Sequence, residues 1–133
     1  MKSNPSLRAA MLALASIITF SPIALAASED YEFQLVECEI KQGDGATVAV
    51  RLIDKRSGNP VADAVVFATR MDMAPDGMET MTTSVEAIPS DESGVYRFKT
   101  NLVMAGDWRF SIAAKVQGEA ETVESRLVLK AVE

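Results

Sequence analysis

The sequence predicts an all-β domain, two antiparallel sheets packed face to face, and three observations carry that expectation. Apolar and polar residues alternate with period two along most of the chain beyond residue 30. Clusters of Gly, Pro, Asn, Asp and Ser interrupt the alternation at short intervals, as turns between short strands do. No stretch carries the apolar stripe of an amphipathic helix.

Taken in order, residues 31–40 read as the first strand, ended by Gly43-Asp44-Gly45. Residues 46–54 form the second, with Val48, Val50 and Leu52 on one face. The run Lys55-Arg56-Ser57-Gly58-Asn59-Pro60 is a turn. Gly58 and Asn59 tolerate positive φ there, and Pro60 cannot donate to a central ladder. Residues 61–73 form a third strand that places Val65, Phe67, Met71 and Met73 on one side, and Ala74-Pro75-Asp76-Gly77 loops back from it. Met81, Thr83, Val85 and Ala87 alternate along a fourth strand. After residues 89–94, Tyr96 and Phe98 face inward while Arg97 and Lys99 face out. The clearest alternation is Trp108, Phe110, Ile112, Ala114 and Val116, and the last strand sets Val123, Leu127 and Leu129 on one face.

About seven short strands separated by turns is the pattern of an immunoglobulin-like antiparallel β-sandwich. Glu92-Ser93-Gly94-Val95-Tyr96 has the acid-x-Gly-x-Tyr form of a tyrosine corner, in which the phenol ties its strand to a crossing loop. Tyr96 as a plain core aromatic is the other reading of the same residues.

The first 26 residues stand apart. Lys2 and Arg8 precede an apolar run at residues 9–20, Ser21-Pro22 breaks it, and Ala24-Leu25-Ala26 gives the small-x-small pattern of a signal-peptidase site. A twelve-residue run is short for a bilayer core of about 30 Å. We therefore expect a cleaved signal peptide at residues 1–26 and a single exported, periplasmic domain at residues 27–133, without stable membrane insertion after cleavage; retention of the leader as an anchor is the alternative. Loss of Lys2 and Arg8 leaves 11 basic against 19 acidic side chains, a net charge of −8. Such a surface disfavours nucleic acid and anionic lipid, which need clustered Lys and Arg, and favours cations and basic surfaces. Cys38 is the only cysteine, so no internal disulfide staples the domain. A lone thiol of this kind is ordinarily buried and inert, with metal ligation or redox activity as the other readings.

The chain contains no histidine, the commonest general base and transition-metal ligand. No Gly-x-Ser-x-Gly elbow, phosphate-cradling glycine loop or Cys-x-x-Cys pair occurs, so the sequence reads as non-catalytic. The non-random feature is methionine: Met71, Met73, Met78 and Met81 fall within eleven residues. Met71 and Met73 share a strand face, and the Pro75–Gly77 loop can return Met78 and Met81 beside them. Thioether sulfur is soft and uncharged, which suits Cu(I) over Zn²⁺ or Ca²⁺. Three thioethers, or two with the Cys38 thiolate, would hold it. Methionine also fills gaps in cores and makes adaptable contact surfaces, and both readings stay open. Asp72, Asp76 and Glu79 in the same window suggest a hard-cation site, without Ca²⁺-loop spacing.

Across residues 48–128 the sequence resembles the YtkA-like/FixH-like family of small exported or membrane-anchored β-sandwich domains. The resemblance rests on Gly58-x-Pro60-Val61-x-x-Ala64, Met71-x-Met73, Gly94-Val95-Tyr96-Arg97 and Met104-Ala105-Gly106-Asp107-Trp108-Arg109, in that order. It implies an immunoglobulin-like fold and a non-catalytic role beside heavy-metal efflux or copper-oxidase assembly systems. It also implies copper contact through the Met-rich segment, here Met71, Met73, Met78 and Met81, with Trp108 as core support. This chain lacks the histidine such segments often include, which leaves Cu(I) as the ion they suit. The expected cleavage would also leave it without the permanent anchor of a FixH-type protein. The rival expectation is a metal-free interaction module that docks on an efflux or oxidase subunit.

Overall fold

Each apolar alternation becomes a strand because one of its faces closes against a second sheet. In the computed structural model, which describes residues 29–133, the expected signal peptide lies outside the described residues. One sheet has the order β1-β3-β7-β6, from Tyr31–Leu35, Gly43–Asp54, Val95–Leu102 and Val85–Ile88. The other has the order β2-β9-β8-β4-β5, from Glu39–Lys41, Thr122–Val132, Gly106–Lys115, Val65–Met73 and Met78–Thr83. The neighbours in both sheets are antiparallel except β2 and β9, which run parallel. The expected all-β sandwich is the fold observed.

Two of the expected strands are each shared between the sheets. Residues 31–40 split at residues 36–38, so that β1 serves one sheet and β2 the other. Phe33 and Ile40 are both buried although one is odd and the other even, and a period-two strand cannot bury both without a break. The expected fourth strand splits at Ser84 into β5 and β6. The buried Thr100 hydroxyl donates to the Ser84 carbonyl at 2.7 Å and holds that crossing.

The third strand starts at Val65 rather than residue 61, and its faces differ from the expected ones. A bulge between Val66 and Ala68 inserts Phe67, so inward parity passes from Val66 to Thr69, Met71 and Met73. Val65 and Phe67 are exposed while Met71 and Met73 are buried, which corrects the expectation that all four share a side.

Residues 61–64 cross between the sheets and are held by Tyr96. Its hydroxyl donates to the Val61 carbonyl at 2.7 Å and accepts from the Ala64 amide at 3.1 Å. The tyrosine corner is therefore present, and the ring also packs against the core. Gly94, at φ +80°, lies so close to Pro60 that a Cβ there would strike the proline ring. Between the sheets, Val48, Val50, Leu52 and Phe98 meet Phe110, Trp108, Ile112 and Leu129. Phe98 and Phe110 tilt at 59° with centroids 5.2 Å apart. Side chains of this size contribute about 1.5–3 kcal/mol each on full burial, so a core without a disulfide suffices.

The register gives the sandwich two distinct ends. Tyr31 pairs with Asp54, so the chain enters beside the loops that follow β3 and β8. There Arg56 donates to Asp54 and to the Tyr31 hydroxyl, which donates in turn to Glu119. At the far end lie the turn between β4 and β5, the loop between β7 and β8, and the close of β9, where Ala131 pairs with Gly106.

Candidate functional site

The far end is built around the β4–β5 hairpin. Pro75 sits in the first turn of a 3-10 segment, Ala74–Asp76, whose fixed φ suits it there. Gly77 closes the turn at φ +77°, a left-handed conformation that glycine adopts without strain. Asp72 Oδ1 accepts the Ala74 amide at 2.9 Å, and Asp76 Oδ2 accepts the Asp107 amide at 3.0 Å, fastening the turn to the start of β8. A Cβ on Gly106 would lie 2.5 Å from Asp76 Oδ2 and 2.8 Å from the Met73 methyl. Glycine at that position lets the turn and Met73 close together.

The hairpin brings Met78 beside Met73, its register partner, while Met71 pairs with Thr83. The register shifts between these two pairs, and Met81 lies in the irregular stretch of β5 that results. Exposure of the methionines is graded. Met71 lies opposite Phe110 and, with Met73, is closed to solvent in the core. Met78 and Met81, on edge strand β5, are 37% and 36% exposed. The structure thus gives Met71 a packing role, places Met73 beneath the turn, and opens only Met78 and Met81 to solvent.

Cys38 is not part of this group. It is exposed rather than buried, and its carbonyl accepts the Lys130 amide at 2.7 Å beside β2. Strands β2 and β5 are the opposite edges of one sheet, separated by four strand spacings or roughly 19 Å. That separation removes Cys38 from the methionine site.

Met104 is the residue that sequence reasoning passed over. It lies in the β7–β8 loop, 37% exposed, and its carbonyl accepts the Trp108 indole N–H at 3.1 Å. Its loop leads into Gly106, which packs against Asp76 and Met73, so Met104 lies at the same end of the sandwich as the β4–β5 turn. Its place in the Met104-Ala105-Gly106-Asp107-Trp108 motif was the available signal; its distance in sequence from the other four hid it. Trp108 itself is fully buried, as its expected supporting role requires.

The carboxylates of the window are differently employed. Asp72 is fully buried, with Arg70 Nε at 2.9 Å and an Arg109 terminal nitrogen at 3.1 Å, both on Oδ2. Burial pushes its pKa up, but the Ala74 amide and the Arg109 and Arg70 guanidiniums outweigh that and hold it below the usual carboxylate value. Asp72 is thus committed to the arginines and Asp76 to the backbone of β8. Among the described residues, Asp72, Asp76 and Glu79 are not gathered into a cluster able to hold a cation.

Residues 25–113 match the YtkA-like family. The chain belongs to it. The YtkA-like match runs from before β1 into β8, and so contains the methionine hairpin, the tyrosine corner and the Met104 loop. Among curated proteins, none matches the chain. Solved structures similar to it include the Lin-41 filamin domain, at 15% identity and TM-score 0.47 over 77% of this chain and 92% of that one. The ZirS C-terminal domain is similar at 12% identity and TM-score 0.46, over 98% of this chain and 84% of that one. No helix among the described residues is long and apolar enough to cross a membrane.

Proposed function

We propose that this YtkA-like domain is an exported, periplasmic accessory protein, with no catalytic role, that carries Cu(I) on thioethers at the far end of the sandwich. Met78, Met81 and Met104 are the donors open to solvent, and Met73 lies beneath them as the fourth sulfur. The observation that carries the reading is the hairpin register, which sets Met73 and Met78 side by side, together with the partial exposure of Met78 and Met81 on edge strand β5. Neutral thioethers suit a soft monovalent ion, and the acidic surface of the chain draws cations to it. Partly exposed thioethers release the ion by ligand exchange, which suits handover to an efflux or oxidase-assembly partner.

A metal-free docking module is the second reading. It is favoured by Val103, 55% exposed beside Met104, which with Met78 and Met81 gives that end an apolar surface. An anaerobic Cu(I) titration against a competing chelator separates the two. The Met78→Leu/Met81→Leu/Met104→Leu variant keeps side-chain volume and removes the accessible sulfur, so it should lose binding with its fold intact. Met71→Leu should bind as the parent protein does. No uptake by the parent protein, or equal uptake by the triple variant, refutes the thioether site.

A further inference from the structure

The outer face of the β2-β9-β8-β4-β5 sheet, turned away from the core, carries a groove of about 950 Å³. Its shape follows from the register. Arg70, Ser111 and Arg126 form one row across β4, β8 and β9, and Ala68, Ala113 and Glu124 form the next. The small side chains make a low floor, and the long ones stand on either side. At about 4.8 Å per strand, the Arg70 and Arg126 backbones flank Ser111 roughly 10 Å apart. Arg109, two residues along β8 and on the same face, stands about 7 Å from Ser111.

Three guanidiniums around one serine repel one another unless something answers their charge. Asp72 answers part of it, with a single oxygen shared between Arg70 and Arg109. Its other oxygen is taken by the Ala74 amide, and Arg70 gives a further N–H to the Glu79 carbonyl. Two donor groups are left over. Arg109 Nε is buried with no hydrogen-bond partner among the described residues, and Arg126 makes no ion pair among them. A buried, unpaired N–H on a charged group is costly, and an acceptor from ordered water or from a ligand is the ordinary remedy.

We propose that this groove is a carboxylate-binding site, independent of the methionine end. A guanidinium fork matches the two oxygens of a carboxylate, and Arg109 and Arg126 offer such donors from either side of the Ser111 hydroxyl. Glu79 and Glu124 line the same groove and repel a multiply charged phosphate more strongly than a carboxylate. The groove is larger than one carboxylate, so the rest of the ligand lies along Ala68 and Ala113. A free small acid and a Glu side chain of a protein segment share this chemistry.

The test is an NMR titration that follows the arginine Nε–H signals of the ¹⁵N-labelled protein. Sodium acetate, a singly charged carboxylate at neutral pH, is added in exchange for sodium chloride at constant ionic strength. Saturable shifts of the Arg109 and Arg126 signals are expected, with Arg51, on the other sheet, unmoved. Arg126→Gln, at an exposed position, should weaken binding about tenfold, the size of one charge-assisted hydrogen-bond pair. Ser111→Ala should weaken it by less. A parallel titration with a short Glu-containing peptide assigns the source: tighter binding than acetate points to a protein segment, and weaker binding to a free acid. Shifts that do not saturate, shifts unchanged in Arg126→Gln, or tighter binding of inorganic phosphate than of acetate would overturn the carboxylate site.

Discussion

Replacing Asp72 by Asn keeps the shape of the most heavily bonded carboxylate of the hairpin and removes its charge. Asp72 accepts three hydrogen bonds, from Ala74, Arg70 and Arg109, and is fully buried. Breaking a buried ion pair by removing one partner costs about 3–5 kcal/mol when both charges are buried. Here the Arg70 side chain is 50% exposed and that of Arg109 25%, so water recovers part of the loss. The Arg70 pair falls in the surface range of about 0–1 kcal/mol. Most of the effect therefore comes from Arg109 and from the weakened cap on Ala74. A net loss of roughly 2–3 kcal/mol follows, equivalent to about 8–12 °C in Tm for a domain of this size. The pH dependence has a definite sign. The folded-state pKa is lowered, so the carboxylate stabilises the fold above its ordinary value of 3.8 and loses that effect as pH falls through the folded value. Urea unfolding of the parent protein and Asp72→Asn should differ fully at pH 7, and the gap should narrow in acid below about pH 4. A difference under about 0.5 kcal/mol at pH 7, or one that persists unchanged at the acid end, would refute the assignment of Asp72 as a charged anchor.

Two further variants probe how the sheets are tied. Tyr96→Phe removes the hydroxyl that joins Val61 to Ala64 and should cost about 1–3 kcal/mol in urea unfolding, with faster amide exchange in residues 61–64. Gly94→Ala meets Pro60 as well as a strained φ, whereas Gly58→Ala meets only strain, at φ +77° with open space around it. The first should therefore lower Tm clearly more than the second, and equal effects would show that the Pro60 contact yields at little cost.

The fold was legible because its signal is local. Alternation such as that from Trp108 to Val116 survives any choice of partner strand, and the acid-x-Gly-x-Tyr spacing names its own hydrogen bond. What escaped are features decided by the partner. The bulge at Phe67 leaves no mark on an apolar run, since Val65, Val66 and Phe67 are all apolar and either parity looks correct. Sheet switching at Ser84 is equally silent, because alternation continues through it while hydrogen bonding changes sides. The switch between β1 and β2 did leave a trace, in the odd-to-even passage from Phe33 to Ile40. For the site, the hairpin return of Met78 and Met81 could be read from Pro75 and Gly77. The burial of Met71 and the placing of the Met104 loop at the same end could not, because both depend on strands distant in sequence.

The two ends of the sandwich decide how the protein can be held. Strand β9 has 11 residues, and at about 3.3 Å each it covers roughly 35 Å from one end to the other. The chain comes in at Asp30 on one side, while Ala131 finishes next to Gly106 and the turn over Met73. A polyhistidine tag fused after Glu133 would carry its imidazoles to the neighbourhood of the methionines, supplying the ligand type the chain itself lacks and distorting any metal measurement. A tether at the leading end would instead leave the thioethers pointing away from the support, free for an ion or a partner.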